Sequence, residues 1–169
     1  MQTIATSQLV LEPLTVAHAD ALFEVLADLE IYRYLDYPPP PSIEHLRNVY
    51  ARLEQRKWTD GNQIWLNWVV RPHGHPPVGY VQATIVPPGG AWIAYVLSSQ
   101  HWGRGYAYMA THAAMEHLTT ACGVGRYLAC VEAENRRSIR LLERLAFRPA
   151  MSHESAGHSL SATERLFVR

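Results

Sequence analysis

Cysteine and lysine are scarce in this sequence. Its 169 residues include only Cys122 and Cys130, and Lys57 is the only lysine. The two cysteines lie eight positions apart and form no Cys-x-x-Cys or Cys/His pattern, which argues against a disulfide framework and against a zinc site. Because this pattern is typical of a reducing compartment, we expect a cytoplasmic protein.

The chain also lacks net charge and long apolar runs. Its 15 basic residues balance 15 acidic residues, so no overall field attracts DNA or an anionic lipid surface. No apolar stretch approaches the roughly 20 residues that span a bilayer. We therefore expect neither a nucleic-acid partner nor a membrane partner. With 48% apolar residues, the composition is that of one globular domain over residues 1–169, monomeric or homodimeric.

The hydrophobic periodicity predicts a mixed α/β fold. Helical spacing follows Thr15 and Ser42, two residues suited to capping helix N-termini. Three runs rich in β-branched and aromatic residues then predict antiparallel strands, since Pro- and Gly-rich turns separate them. A strand–helix–strand crossover follows, which predicts one parallel pair. The predicted strands are 9–11, 64–70, 78–86, 91–97 and 127–133, with a hairpin that turns at 156–158 and ends at 166–168; the predicted helices cover 22–29, 43–53, 106–118 and 136–145.

A glycine motif follows the most apolar of these strands. Residues 91–97 are apolar at every position, whereas a half-exposed strand alternates, so this strand is predicted to be covered on both faces. Gly103 and Gly105 come next, at the start of a helix. Two glycines let successive backbone N–H groups converge, and the helix dipole adds about half a positive charge there. The motif therefore predicts an anion site, most simply for phosphate.

Two well-known phosphate motifs do not fit this segment. A Walker loop requires Gly-Lys-Ser/Thr, and the segment has no lysine. The dinucleotide fingerprint requires Gly or Ala at position 108, which is Tyr108. The pattern that fits is Gln/Arg-x-x-Gly-x-Gly/Ala after an apolar strand, matched by residues 100–105. It resembles the acetyl-CoA pyrophosphate loop of the GNAT superfamily of N-acetyltransferases.

A second segment carries the same resemblance. Residues 135–147 are similar to that superfamily's Asn-x-x-Ser/Ala, helix and Gly-Phe. Asn135, Ser138 and Leu142 lie three and four apart, hence on one helix face. Residues 9–14 and 102–107 also resemble the branch that acetylates N-terminal amines of ribosomal proteins. Two positions depart: Ala146 replaces the usual Gly, and Leu142 stands where many members carry a Tyr proposed as general acid.

The resemblance implies a fold, a co-substrate and a set of site residues. The fold is α/β (α+β), with a mixed, mostly antiparallel sheet, helices on both faces and a splayed parallel strand pair. The reaction is transfer of an acetyl group from acetyl-CoA to a primary amine, on a peptide or protein N-terminus or on a small molecule, by direct attack through a ternary complex. Simple N-capping explains Asn135 and Ser138 equally well. The cofactor-binding residues are predicted to be Val96, Leu97, Gln100, Trp102, Gly103, Arg104, Gly105, Tyr106, Ala107, Asn135, Ser138 and Leu142.

Acetyl transfer requires a neutral amine, donors for a tetrahedral oxyanion and a leaving thiolate. Backbone N–H groups around Val96 and Leu97, where the parallel strands diverge, are the simplest hydrogen-bond donors for the oxyanion. Ser138 is the candidate catalytic residue that hydrogen-bonds the thiolate. No acidic residue lies in 91–97, so the general base stays open between Glu132, Glu116 and a path of ordered water.

Other functions stay open at this level. The missing strand Glu and helix Tyr suit a non-catalytic acetyl-CoA-binding sensor or scaffold, and a nucleotide-binding regulator is a third reading. The nine histidines suggest a metal, but His73 with His75, and His112 with Glu116, each lack a third ligand, so no metal is predicted.

The acceptor is expected to enter beside the first two helices, the proline run 38–41 and the C-terminal hairpin. Tyrosines in this region can line a cleft or pack in the core. The tryptophans are predicted to be core or cleft wall, since no basic residues alternate with them as in a nucleic-acid platform. The candidates for the acceptor wall are Tyr32, Tyr34, Asp36 and Tyr37; the tryptophans in question are Trp58, Trp65, Trp68 and Trp92.

Overall fold

One eight-stranded sheet runs through residues 1–56 and 63–169, the part of the chain that this computed structural model describes. In space the strands follow the order β1-β2-β3-β4-β5-β6-β8-β7, and every described neighbouring pair is antiparallel except β5 and β6. The predicted mixed, mostly antiparallel sheet is confirmed. The strands are β1 (Ile4–Ala5), β2 (Leu9–Pro13), β3 (Ile64–Pro72), β4 (Gly79–Val86), β5 (Gly90–Leu97), β6 (Arg126–Glu132), β7 (Arg148–Pro149) and β8 (Glu164–Val168).

Helices cover both faces of the sheet, as predicted. Leu22 of the first helix and Leu46 of the second pack with Val69 on one face. Trp68, which neighbours Val69 on β3, points to the opposite face and packs with Leu118 of the third helix. None of the described helices is long and apolar enough to cross a membrane. The helices are α1 (Ala19–Leu26), α2 (Ile43–Glu54), α3 (Tyr106–Cys122), α4 (Arg136–Arg144) and α5 (Ser152–Ser155).

The caps explain where the first helices begin and end. The Ser42 hydroxyl accepts a hydrogen bond from the His45 N–H at 3.1 Å, which confirms the predicted cap of α2. Thr15 caps a 3-10 turn, Val16–His18, that precedes α1. The prediction that Leu29 continues the buried face of α1 is wrong, because the helix ends at Leu26 and Leu29 is 72% exposed in a second 3-10 turn, Leu29–Tyr34.

The single parallel pair is short and splayed. β5 pairs with β6 only from Gly90–Arg126 to Trp92–Leu128. Both strands continue beyond these pairs, β5 to Leu97 and β6 to Glu132. The edge of β5 that faces β6 is therefore unpaired over residues 93–97, which confirms the predicted divergence.

The prediction that β5 is covered on both faces is wrong. Ala91 and Ile93 are buried on the side of α3. On the opposite side Val96 is buried, but Ala94 is exposed and Trp92 half-buried. The helices α1 and α2 cover only the end of β5, so an apolar strand meets solvent at its middle.

The C-terminal segment forms the predicted antiparallel hairpin from β7 and β8. Its connection is longer than the predicted turn, because α5 is inserted before Gly157, which adopts φ +88°. Of the four tryptophans discussed above, Trp68 is fully buried in the core, whereas Trp58 lies outside the described residues.

Candidate active site

The glycine motif forms an open loop between β5 and α3. A 3-10 turn, Ser99–His101, leads into Gly103 at φ +78° and Gly105 at φ +80°. These left-handed conformations favour glycine, since other L-residues pay a steric cost there. A Cβ added at either position would meet no heavy atom within 4 Å. The loop is therefore open and is not filled by its own side chains.

The loop and the first turn of α3 present free backbone donors. Within the described part of the chain, the N–H groups of residues 103–108 have no hydrogen-bond acceptor. The first N–H of α3 that is paired belongs to Met109, which donates to the Gly105 carbonyl at 3.0 Å. Converging N–H groups at a helix N-terminus bind anions, and phosphates in particular. These residues fit a diphosphate.

A cleft of about 240 Å³ adjoins this loop, bounded by the loop, the start of α3 and one side of α4. We call it the loop cleft. Arg137, Arg140 and Arg144 of α4 line it. The Arg137 guanidinium lies 3.7 Å from the centre of the Trp102 ring, a cation–π distance. Guanidinium groups bind phosphate oxygens bidentately, so the wall opposite the loop also suits a polyanion.

His101, in the 3-10 turn, adds an uncharged ring to the loop cleft. Its Nδ1 is buried and has no partner among the described residues. Burial lowers the pKa of His101, and electrostatic interactions with Arg104 and His75 lower it further. The ring is thus neutral at pH 7, and its charge does not contribute to anion binding.

The predicted cofactor-binding residues divide into four groups, of which the first is Val96 alone, which lines a different cavity described below. Gln100 and Arg104 are exposed and lie outside the lining of the loop cleft. Asn135, Ser138 and Leu142 belong to α4 and its cap, and Leu142 is 1% exposed in the core. The predicted residues that line the loop cleft are Leu97, Trp102, Gly103, Gly105, Tyr106 and Ala107.

The start of α4 holds a pair of hydroxyl groups. Asn135 caps the helix, and its Oδ1 accepts a hydrogen bond from the Ser138 N–H at 3.1 Å. Across the opening between β5 and β6, the Tyr95 hydroxyl lies 2.6 Å from Ser138 Oγ. Burial raises the pKa of Tyr95 to about 12, although the hydrogen bond to Ser138 opposes the shift. Tyr95 therefore stays protonated at neutral pH and can donate a hydrogen bond.

Tyr95 is absent from the residues that the sequence singled out. The available signal was its place near the end of β5, three residues after Trp92, the last position that pairs with the parallel strand. Nothing in the sequence connects it with Ser138, 43 positions away.

A second cavity, of about 290 Å³, lies on the other face of the sheet, between α2, the 3-10 turn 29–34 and strands β3 to β5. Four tyrosines line it, Tyr32, Tyr37, Tyr50 and Tyr80, and we call it the tyrosine pocket. Burial raises the pKa of Tyr32 to about 12, and the nearby Tyr37 and Asp28 raise it further. The phenolate form of Tyr32 is thus disfavoured in the pocket wall.

The tyrosine pocket lies where the acceptor was expected to enter, although the outcome for the wall residues is mixed. Tyr32, Tyr37, Pro38 and Pro40 line it. Tyr34 and Asp36 do not appear in its wall, and no residue of the C-terminal hairpin does. The first two helices and the proline run therefore form this cavity without the hairpin.

The end of β5 separates the two cavities. Val96 lines the tyrosine pocket and Leu97 lines the loop cleft, because successive side chains of a strand point to opposite faces. The Trp102 Nε1–H donates to the Leu97 carbonyl at 2.9 Å, which anchors the glycine loop to this strand end. Asp28 accepts a hydrogen bond from the Ser99 N–H at 2.7 Å on the other side. Molecules bound in the two cavities would therefore both lie against this strand end.

Neither acidic residue suggested as general base lines a cavity. The Glu116 side chain is 69% exposed and lies 3.3 Å from His112. Glu132 is half-buried at the end of β6. Among residues 1–56 and 63–169, no group of three or more His, Cys, Asp or Glu side chains could hold a metal ion.

A mixed sheet that splays at its parallel pair, with a glycine loop at the start of the crossover helix, is the fold of the GNAT acetyltransferases. The family model described as "Acetyltransferase (GNAT) domain" matches residues 8–148. The chain belongs to this family of GNAT acetyltransferases and is an acyltransferase enzyme.

Similar proteins and structures agree with this family. The chain is 27% identical over 149 residues to the uncharacterized N-acetyltransferase p20 of Bacillus licheniformis, covering 87% of this chain and 83% of that protein. A RimL ribosomal L7/L12 α-N-protein acetyltransferase in complex with coenzyme A superposes with a TM-score of 0.80 at 19% identity, covering 99% of this chain and 97% of that one. The ribosomal-protein-S5-alanine acetyltransferase of Vibrio fischeri has a TM-score of 0.80 at 14% identity, with coverage of 100% and 96%. The structural likeness shows a shared fold.

Proposed function

We propose that the chain is a single acetyl-CoA-dependent N-acetyltransferase domain that acetylates a primary amine by direct attack within a ternary complex. The observation that carries this proposal is the pair of cavities on either side of the end of β5, with Val96 in the wall of one and Leu97 in the wall of the other. Direct transfer requires the donor and the acceptor to be bound together with their reacting atoms in contact. The RimL neighbour that binds coenzyme A supports the choice of donor.

The glycine loop binds the diphosphate of acetyl-CoA, which supplies the acetyl thioester. The free N–H groups of residues 103–108 act as main-chain donors, and the positive end of the α3 dipole adds to them. Arg137, Arg140 and Arg144 supply positive charge from the opposite wall of the loop cleft. Arg104 is exposed beside them and adds charge at the rim.

Main-chain N–H groups near Val96 and Leu97 stabilise the oxyanion. β5 has no strand partner on its β6 side over residues 93–97, so alternate backbone groups face the opening. A preorganised N–H at such a position is worth on the order of a hundred- to thousandfold in rate. The side chains at these positions need only be apolar.

Ser138 and Tyr95 together assist the leaving thiolate. Two hydroxyl groups in a hydrogen-bonded pair hold two protons, and the bond between them uses one. The Tyr95 hydroxyl, 2.6 Å from Ser138 Oγ, donates to Ser138 and frees the Ser138 proton for the sulfur. The pair stabilises the thiolate by a hydrogen bond and does not transfer a proton to it, since a phenol with a pKa of about 12 keeps its proton beside a thiolate whose own pKa is about 8.5. In this role it replaces the Tyr that is absent at Leu142.

Water, and not a carboxylate, removes the proton of the amine. Glu116 and Glu132 lie outside both cavities. An unperturbed α-amine has a pKa of about 7.7 to 8.0 and is about one-tenth neutral at pH 7, so it reacts without a strong base. A cytoplasmic site, where acetyl-CoA and new protein N-termini are both present, suits this activity.

Release of free thiol tests the proposal. Purified protein is mixed with acetyl-CoA and, in turn, with peptides that carry free N-termini, polyamines and aminoglycosides. We expect thiol release that depends on the amine and a matching acetylated product in the mass spectrum. Tight binding of acetyl-CoA without amine-dependent release across the panel would identify a sensor or scaffold instead. Competition by ATP or NAD for the same site would indicate a nucleotide-binding regulator.

A further inference from the structure

The tyrosine pocket has an uncharged wall. None of the described residues that line it is Asp, Glu, Lys or Arg. The imidazole of His45 also lines the pocket and is exposed, and it is not a carboxylate that could pair with a cation. An ammonium group that entered would lose hydration without gaining a carboxylate partner, which costs several kcal/mol.

The buried tyrosines strengthen this argument. Burial raises the pKa of Tyr80 well above its ordinary value, and Tyr37, Tyr50 and Tyr32 raise it further. Burial likewise raises the pKa of Tyr50. The hydroxyls of Tyr80, Tyr50 and Tyr32 are therefore neutral at pH 7, and none of these three supplies a phenolate in place of the missing carboxylate as a partner for a cation.

One polar group in the pocket has no protein partner. Tyr50 is 3% exposed, and its hydroxyl is buried without a hydrogen-bond partner among the described residues. A buried hydroxyl left unpaired is destabilising until a ligand pairs with it. Asn67, which is 5% exposed, lines the same pocket. A ligand that brings a carbonyl oxygen next to its amine would satisfy the Tyr50 hydroxyl.

We propose that the tyrosine pocket selects the acceptor, and that this acceptor is a weakly basic primary amine, uncharged when it binds, on an apolar or aromatic body about the size of one amino-acid residue. The inference rests on the proposed N-acetyltransferase function. The volume of about 290 Å³ is at the lower end of ligand pockets and sets the size. The neutral fraction of an α-amine at pH 7 is about 250- to 500-fold larger than that of a lysine amine. Because an uncharged pocket binds the neutral amine, kcat/KM should follow this difference.

Thiol-release kinetics test the acceptor class. The substrates are phenylalaninamide and the peptide Phe-Ala-Ala, compared with Nα-acetyllysine and spermidine. We expect kcat/KM to be about 100-fold or more higher for the first two at pH 7, with the ratio falling as the pH rises. A faster reaction with the peptide would identify the acceptor as a peptide N-terminus. A faster reaction with phenylalaninamide would identify it as a free small amine.

The outcomes separate this inference from the function on which it rests. Equal or higher kcat/KM for spermidine or Nα-acetyllysine overturns the inference and leaves the N-acetyltransferase function intact. No amine-dependent release with any substrate overturns both. Competition by choline against phenylalaninamide also overturns the inference, because it would show that the tyrosine rings hold a cation.

Two variants test the pocket itself. Tyr50→Phe removes only the unpaired hydroxyl, so KM for phenylalaninamide should rise about tenfold while kcat and the affinity for CoA stay unchanged. Tyr34→Phe is the matched control, since Tyr34 is a half-buried tyrosine outside the pocket. Gln82→Glu places a carboxylate in the pocket wall at nearly constant size and should make spermidine a competitive inhibitor. Unchanged KM in Tyr50→Phe, or no inhibition in Gln82→Glu, would overturn the placement of the acceptor.

Discussion

Substituting Gly105 by Asp tests the diphosphate loop directly. Gly105 is the N-cap of α3, at φ +80°, and an added Cβ meets no heavy atom within 4 Å. The side chain therefore fits, and the cost to the free energy of unfolding is that of the left-handed backbone, about 1–2 kcal/mol. We expect Gly105→Asp to fold.

The effect on binding should be much larger than the effect on folding. A carboxylate at Gly105 would lie about 4–5 Å from the bound diphosphate, where two like charges repel by about 3–4 kcal/mol at an effective dielectric constant near 20. That energy corresponds to an affinity for CoA about 200- to 1000-fold weaker. The same carboxylate would also accept hydrogen bonds from the free N–H groups of the loop and compete with the phosphates for them.

Gly123→Asp provides the matched control. Gly123 is the C-cap of the same helix, at φ +68°, and it too has no heavy atom within 4 Å of an added Cβ. Gly123→Asp loses the same free energy of unfolding through the left-handed backbone. It loses a further few tenths of a kcal/mol because a carboxylate at the negative end of the α3 dipole is unfavourable. Calorimetric titration of both variants with CoA gives the affinity, and urea unfolding gives the free energy of unfolding. An unchanged affinity in a folded Gly105→Asp, or an equal loss in both variants, would refute the assignment of the loop.

Three further predictions concern catalysis, local backbone strain and pH. Ser138→Ala and Tyr95→Phe should each lower kcat for thiol release about ten- to thousandfold. The kcat of the double variant should be little lower than that of the slower single variant. If the two single losses in kcat multiply in the double variant, the two hydroxyls act separately. Ala146→Gly should raise the free energy of unfolding by about 0.5–1 kcal/mol in urea titrations, because Ala146 adopts φ +62°; a lower midpoint would contradict this reading. The hydrogen bond from Arg71 is the main cause that lowers the pKa of Glu12 below its ordinary 4.5, against the effect of burial. The ionised Glu12 therefore stabilises the folded protein fully above pH 4.5, and this stabilisation is lost as the pH falls through the pKa of Glu12 in the folded state. The urea midpoint of Glu12→Gln should therefore lie below that of the unaltered protein at pH 7 and approach it at pH 3, and a gap independent of pH would argue against the ion pair.

The departure at Ala146 shows what a local resemblance can and cannot predict. The family pattern has Gly before Phe147, and the structure places Ala146 in a left-handed conformation at φ +62°. The chain therefore keeps the backbone geometry of the pattern and accepts a steric cost for it. The other departure, Leu142, is buried at 1% exposure, and a tyrosine from a different element, Tyr95, contacts Ser138 in its place.

Predictions that failed depended on how elements cover one another. The apolar run 91–97 indicated a strand buried on both faces, yet Ala94 is exposed, because Val96 and not Ala94 packs in the core cluster of α1 and α2. Leu29 continued the helical spacing of α1, yet the chain enters a 3-10 turn that Asp28 caps. Periodicity reports which residues are apolar, and it does not report how far a neighbouring helix extends.

By itself, the sequence determined the secondary-structure elements and the glycine loop, because both depend on interactions within a few residues. Ser42 caps its helix at the third residue, Gly103 and Gly105 adopt conformations suited to glycine, and α3 begins directly after them. Only the tertiary structure decided the chemistry around the loop. The Tyr95–Ser138 pair spans 43 positions, and the tyrosine pocket is assembled from α2, a 3-10 turn and three strands. Such contacts arise from the packing of the sheet against its helices, and no local pattern of residues encodes them.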